Sequence, residues 1–176
     1  MASIFAFTCT CCGKVHEGSP SLAFSAPWHY STLSEEQRSA MATIDSDLCT
    51  ITHDEGTDYF VRCVLEISID GVSEPFTWGV WVSLSEKSFK RYVETTDDPV
   101  EGEVYFGWFC NQLTCYPETL SLPTDVLVQP RGKRPHLRLH RGGGDEHPLV
   151  RDQLNGISVT RAQEIAEAAS HPISAR

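Results

Sequence analysis

Between Tyr59 and Ile69 the side chains sort by position: Val61, Cys63, Leu65, Ile67 and Ile69 take odd numbers, while Arg62, Glu66 and Ser68 take even ones. A period of two belongs to a β-strand, whose successive side chains point to opposite faces, so one face of this segment is core and the other is wetter. Asp70-Gly71 opens a turn, and Phe76, Trp78, Val80, Val82 and Leu84 repeat the alternation. The two segments are expected to pair as an antiparallel hairpin at the centre of a sheet. Trp81 is out of phase with Trp78 and Val82, which sends it to the face opposite the core.

The rest of the chain is read around that hairpin. Ile4-Phe5-Ala6-Phe7 suggests a short strand, followed by irregular chain as far as Tyr30. Ser34 with Gln37 forms a capping box, and Glu35 and Glu36 favour the start of a helix that runs to about Thr43. Ser83 with Glu86 offers a second box, before a short helix carrying Phe89 and Tyr92. Thr95 to Gly102 is an acidic loop. Tyr105 to Phe109, Thr119 to Gln129 and Pro135 to Arg141 suit further strands, with Pro117, Pro123 and Pro130 favouring edge positions. Gly142-Gly143-Gly144 is the best hinge in the chain. Beyond it, Leu149 to Asn155 ends at Gly156, and Thr160 with Gln163 caps a last helix to about Ala169. Ile165 and Ala169 make too narrow a stripe for a separate core. The expectation is therefore one domain over residues 1–176: a body over 1–141, a hinge at 142–144, a docked helical tail over 145–170 and frayed residues 171–176. Its class is α+β, a mainly antiparallel sheet with a few short helices and an N-terminal zinc-knuckle-like turn.

The formal charge of −10 hides a partition. Residues 1–130 carry six basic against nineteen acidic side chains, and residues 131–176 carry eight against five, giving −13 and +3. An acidic body repels phosphates, so nucleic acid is an improbable partner and a protein with a basic surface an easier one. Thr8, Lys14, His16 and Glu17 interrupt any secretory run, and no stretch reaches the roughly 20 apolar residues of a membrane span. A cytoplasmic location is expected.

Seven cysteines without a secretory context point to thiols or thiolate ligands rather than to disulfides. Cys9-Thr10-Cys11-Cys12-Gly13 places two thiols three positions apart in a turn that a glycine lets close, the geometry of a metal knuckle. His16 could add an imidazole. No second Cys-x-x-Cys is present, so a further ligand must come from elsewhere: Cys49 is the first nominee, ahead of His29, Cys110, Cys115 and His147. The expected set is Cys9, Cys12, His16 and Cys49, with Zn2+ as the cofactor. A structural role is favoured over a catalytic one, because two thiolates neutralise much of the charge that would activate water. The alternative is a pair of reduced, unliganded thiols in an ordinary turn. Cys11 is read as a bystander and Cys63 as a small buried hydrophobe.

Other groups carry less. No cysteine lies near a helix start or a glycine-rich elbow that would activate it. His136, Arg138 and His140 alternate with leucines on one strand face, close to Arg131, Lys133, Arg134 and Arg141; this cationic patch suits a phosphate, an acidic partner or self-contact with the acidic body. Phe76, Trp78, Trp81 and Trp108 could line a pocket, with core packing as the plainer alternative.

Taken in order, Phe7-x-Cys9-x-x-Cys12-Gly13-x-x-His16, Ser46-Asp47-Leu48-Cys49, Trp78-Gly79-Val80-Trp81-Val82-Ser83-Leu84-Ser85-Glu86, Tyr105-Phe106-Gly107-Trp108 and His147-Pro148-Leu149 resemble the bacterial domain of unknown function 2199 family. The resemblance implies a compact bacterial domain and supplies no activity. Two functions are therefore carried forward. One is a zinc-stabilised protein-binding module, with an immunity or antitoxin-like protein covering a basic toxin as a special case by analogy. The other is a metal-dependent hydrolase or transferase with an open Cys/His zinc site and Asp47 as base.

Overall fold

The computed structural model describes residues 5–10, 13–142 and 146–170. In chain order these form β1 (Ala6–Thr8), β2 (Val15–Glu17), β3 (Ser21–Ala23), α1 (Trp28–Ser31), α2 (Glu35–Met41), β4 (Ala42–Ile44), β5 (Leu48–His53) and β6 (Gly56–Ile67). There follow β7 (Phe76–Leu84), α3 (Glu86–Glu94), β8 (Val104–Phe109), β9 (Pro123–Leu127), β10 (His136–Leu139), α4 (Pro148–Asn155) and α5 (Val159–Ser170).

The β6–β7 hairpin forms as its alternation demands, with Cys63 opposite Val80, Leu65 opposite Trp78 and Ile67 opposite Phe76. Those inward side chains are almost wholly buried and start a core completed by β8, β9, β10 and the two C-terminal helices. Each such side chain withdrawn from water contributes about 1.5–3 kcal/mol, so the hairpin anchors the molecule.

The sheet does not stay open. Strands β6, β7, β8, β9 and β10 each pair antiparallel with the next, and β10 then returns to β6 in parallel through His136 and Val64. The result is a closed five-stranded barrel, which corrects the expectation of a mainly antiparallel sheet. Alternation reports which side of a strand is buried and says nothing about whether the last strand meets the first. Closure also removes the edges to which the prolines were assigned: β9 is paired on both sides, and Pro123 is tolerated as its first residue.

The seam between β6 and β10 is thin and is finished by α4. Gln153 accepts from the Leu139 amide at 2.8 Å and donates to the Leu137 carbonyl at 2.6 Å, so its carboxamide serves β10 as a neighbouring strand would. Just beyond α4, Ile157 bridges Ile69 in parallel.

On the other flank of the hairpin, β3 lies parallel to β7, while β5 and then β4 continue the sheet beyond β6. This flank carries a second core of Cys49, Ile51, Phe60, Trp81 and Cys110, covered by Phe24, Tyr30, Leu33 and Met41. Trp81 thus faces away from the barrel interior as its phase requires, yet it is fully buried. Its cover comes from residues 21–44, which hold β3, α1 and β4 where irregular chain and the end of a helix were expected. The capping box of α2 forms between Ser34 and Gln37, but the helix stops at Met41 because Ala42, Thr43 and Ile44 pair with β5.

Leu149, Val150, Ala162, Ile165 and Ala166 of the tail belong to the main core. The cap of α5 is the Ser158 hydroxyl, which accepts from the Arg161 amide, rather than Thr160. Of the expected hinge, Gly143 and Gly144 lie outside the described residues, as do residues 171–176. No helix among the described residues is long and apolar enough to cross a membrane.

Candidate functional site

The candidate site is the outer wall of β8. Alternation sends Tyr105 and Phe109 into the barrel and leaves Val104, Phe106 and Trp108 outside, where they remain 45%, 48% and 46% exposed. Strand β8 is therefore apolar on both faces, although only one is needed for the core. Gly107 lies between the two outward rings on the inward side. A Cβ there would meet Val82 Cγ1 at 2.4 Å and the Ser83 carbonyl at 2.6 Å, so the glycine lets β7 approach closely.

The outward rings are ordered by one another. Phe106 and Trp108 meet edge to face with centroids 5.0 Å apart, and Phe106 lies 5.5 Å from the His140 ring. Beside them, Asp125 accepts hydrogen bonds from Arg138 and His140, both at 2.7 Å. Partial burial opposes ionisation of Asp125, but these two bonds outweigh it and hold its carboxyl below the usual range. Contiguous exposed apolar residues on a folded chain mark an interaction surface, and aromatic rings order at low entropic cost.

At its Val104 end this ridge runs into the acidic segment from Glu94 to Glu103. Five carboxylates stand there, at Glu94, Asp97, Asp98, Glu101 and Glu103, with no cation among them. Glu103 pairs with Arg91 at 3.2 Å and Asp97 meets Arg131 at 3.9 Å. Glu94, Asp98 and Glu101 have no ion pair among the described residues. Val93, just before Glu94, and Val100, between Asp98 and Glu101, are exposed as well.

The cationic patch read from the sequence meets the acidic body, one of the three roles considered for it. Arg134 binds Asp47, His136 approaches Glu66, and Arg138 and His140 share Asp125.

The nominated metal ligands are placed as follows. Cys9 is buried after β1, in a turn where its carbonyl accepts from the Gly13 amide at 2.9 Å and its amide donates to the Lys14 carbonyl at 2.8 Å. Helix α5 braces this turn, since Glu167 accepts from the Thr10 amide and hydroxyl at 2.7 and 2.8 Å. Cys12 and Cys11 lie outside the described residues. His16 is exposed on β2 and its ring stacks on Phe7 at 5.1 Å. Cys49 is packed in the second core, where burial and then Asp45 push its thiol up to about 12. Among the described residues no group of three or more His, Cys, Asp or Glu side chains could hold a metal. No zinc knuckle is seen, because half of its pair falls outside the described chain.

The weaker nominees have other contacts: His29 packs on Phe60, Cys110 contacts the Trp108 carbonyl, and His147 caps α4 by accepting from the Leu149 amide. Burial raises the Cys110 and Cys115 thiols, which disfavours the nucleophilic thiolate. Asp47, the base of the hydrolase reading, works against partial burial but is held low by Ser46 and Arg134, which makes it a weak proton acceptor.

The aromatic ridge was half legible in the sequence. Trp108 drew notice as a large ring, but a strand apolar at both odd and even positions does not reveal which face is spare.

The model of a family described as an uncharacterized protein conserved in bacteria, DUF2199, matches residues 8–157. No curated protein and no solved structure matches the chain. The matched span takes in the barrel, the ridge and the seam through Ile157, and it stops before α5.

Proposed function

We propose that this chain, which belongs to the DUF2199 family of bacterial proteins, is a protein-binding module that docks a basic, partly apolar partner surface on the outer wall of β8. The observation that carries this reading is the row of Val104, Phe106 and Trp108, each close to half exposed on a barrel whose core is already filled. The unpaired carboxylates of the adjoining segment supply the charge: they steer a cationic partner toward the ridge, and the rings provide the desolvated contact that holds it. Lysine or arginine side chains on the partner would also find the ring faces of Phe106 and Trp108.

The test is site-specific photocrosslinking in the native bacterium. A photoreactive residue at Phe106 is expected to trap a protein with a basic patch, and the same residue at exposed Glu35 on α2 is expected to trap none. Adducts of equal yield at both positions, or none at Phe106, would contradict the proposal.

Within this module we propose zinc as a structural ion at the N-terminal turn, held by Cys9 and Cys12 with His16 as the candidate third ligand. Support comes from the turn itself: Gly13 takes φ of 69° and its amide closes on the Cys9 carbonyl, as a knuckle requires. Cys49 is omitted from the set because it packs in the second core. Purified protein is expected to contain about one zinc per chain, with a fourth ligand completing the tetrahedral site. Cys9→Ser and Cys12→Ser are expected to lose the metal together with stability. Wild-type protein free of metal would end this part of the proposal.

A further inference from the structure

A recess lies between the Asp45–Leu48 turn and the loop from Gln129 to Pro135, and we infer that it is a binding site for a small organic oxyanion, a phosphate or carboxylate on a flat apolar body. It encloses about 290 Å³, and Leu48, Tyr92, Val128 and Pro135 supply its apolar surface. That size suits a single ring or a short acyl group, at the small end of ligand pockets. The site lies apart from the β8 ridge and stands or falls independently of the docking proposal.

The case rests on which charges are already satisfied. Two carboxylates line the recess, and both are engaged locally. Asp45 accepts from the backbone amides of Asp47 and Leu48 at 2.8 and 2.7 Å. Asp47 takes the Ser46 hydroxyl and the Nε–H of Arg134. The three cations on the opposite lip are not matched in this way. Lys133 has no carboxylate partner among the described residues. Arg134 uses only Nε, which leaves its two terminal nitrogens as donors, and Arg131 reaches Asp97 only at 3.9 Å. In a chain of net charge −10, this lip presents spare N–H donors in a partly enclosed, partly apolar setting, where an oxyanion is bound more strongly than in open water.

The backbone holds those donors in place. The Lys133 amide closes a turn onto the Pro130 carbonyl at 3.1 Å, and Gly132 takes φ of 81°, the third-position conformation that such a turn reserves for glycine. Arg131, Lys133 and Arg134 are thus fixed on one rim. Pro135 continues directly into the seam, its carbonyl accepting from the Val64 amide at 2.9 Å, so the rim is tied to the barrel. Burial pushes the Tyr92 phenol up to about 12, which keeps it a neutral hydroxyl at physiological pH.

The test is an NMR titration of the full chain with phenyl phosphate, and in parallel with inorganic phosphate, following the Arg134 Nε–H and the amides of residues 131–134. Phenyl phosphate is expected to give saturable shifts at these groups and to bind about fivefold more tightly than inorganic phosphate, because only it fills the apolar part. Lys133→Ala is expected to weaken binding about fivefold or more, the effect of one charge-assisted contact. Arg151→Ala removes an exposed cation on α4 that does not line the recess and should bind as wild type does. Absence of saturable shifts at the rim, equal affinity of the two phosphates, or equal losses in Lys133→Ala and Arg151→Ala would overturn the inference.

Discussion

Asn111 ties β7 to the segment that leads into α1 with a single side chain. Its Oδ1 accepts from the Trp81 amide at 2.7 Å and its Nδ2 donates to the Ala26 carbonyl at 3.0 Å, all in a fully buried setting. Removing a partner from a buried polar group costs about 1–3 kcal/mol for each group left unsatisfied, so Asn111→Ala is expected to destabilise the fold by about 2–5 kcal/mol in urea titration. Asp125 makes a prediction of opposite visibility. Its carboxyl is held below the unfolded value, so the bonds to Arg138 and His140 add stability above about pH 4 and that contribution is lost as pH falls through the folded pKa. Asp125→Asn should therefore lower stability at neutral pH and flatten the acid limb of the pH–stability curve. At this scale the sequence was informative about direction and silent about cover. The phase of Trp81 gave its face correctly, but the residues that bury it come from a segment with no periodic signal.

Among the elements, the hairpin was legible because eleven residues of alternation leave no competing period. The barrel was not, because its closure rests on features too small to register as pattern: one parallel bridge at His136 and the carboxamide of Gln153. Gln153→Leu retains the volume and removes both bonds to β10, leaving the Leu137 carbonyl and Leu139 amide without those partners. It is expected to cost about 1–3 kcal/mol and to speed hydrogen exchange selectively in β10. Gly107→Ala tests the close approach of β7 and β8. With a Cβ only 2.4 Å from Val82 Cγ1 and a backbone oxygen at 2.6 Å, the strands must separate, and a loss of about 1–3 kcal/mol is expected from the melting temperature.

For the molecule as a whole, contact with the acidic body was one of three roles open to the cationic patch, and the lip and outer cations do contact Asp47, Glu66, Asp97 and Asp125. What composition could not show is where charge is left over: acidic between Glu94 and Glu101 beside the ridge, and basic at Lys133 on the recess. The same limit applies to the metal proposal. The spacing of Cys9 and Cys12 names a pair, while the remaining ligands depend on folding that spacing does not encode. The central claim concerns the ridge, and its most direct measurement is the equilibrium affinity of the crosslinked partner for wild type and for the Phe106→Ser/Trp108→Ser double variant, at low and high salt. Loss of two aromatic anchors is expected to weaken binding by about 100-fold or more while the urea midpoint stays within the spread of the wild type, and wild-type affinity should fall as salt rises. A double variant that binds as tightly as wild type would contradict the account.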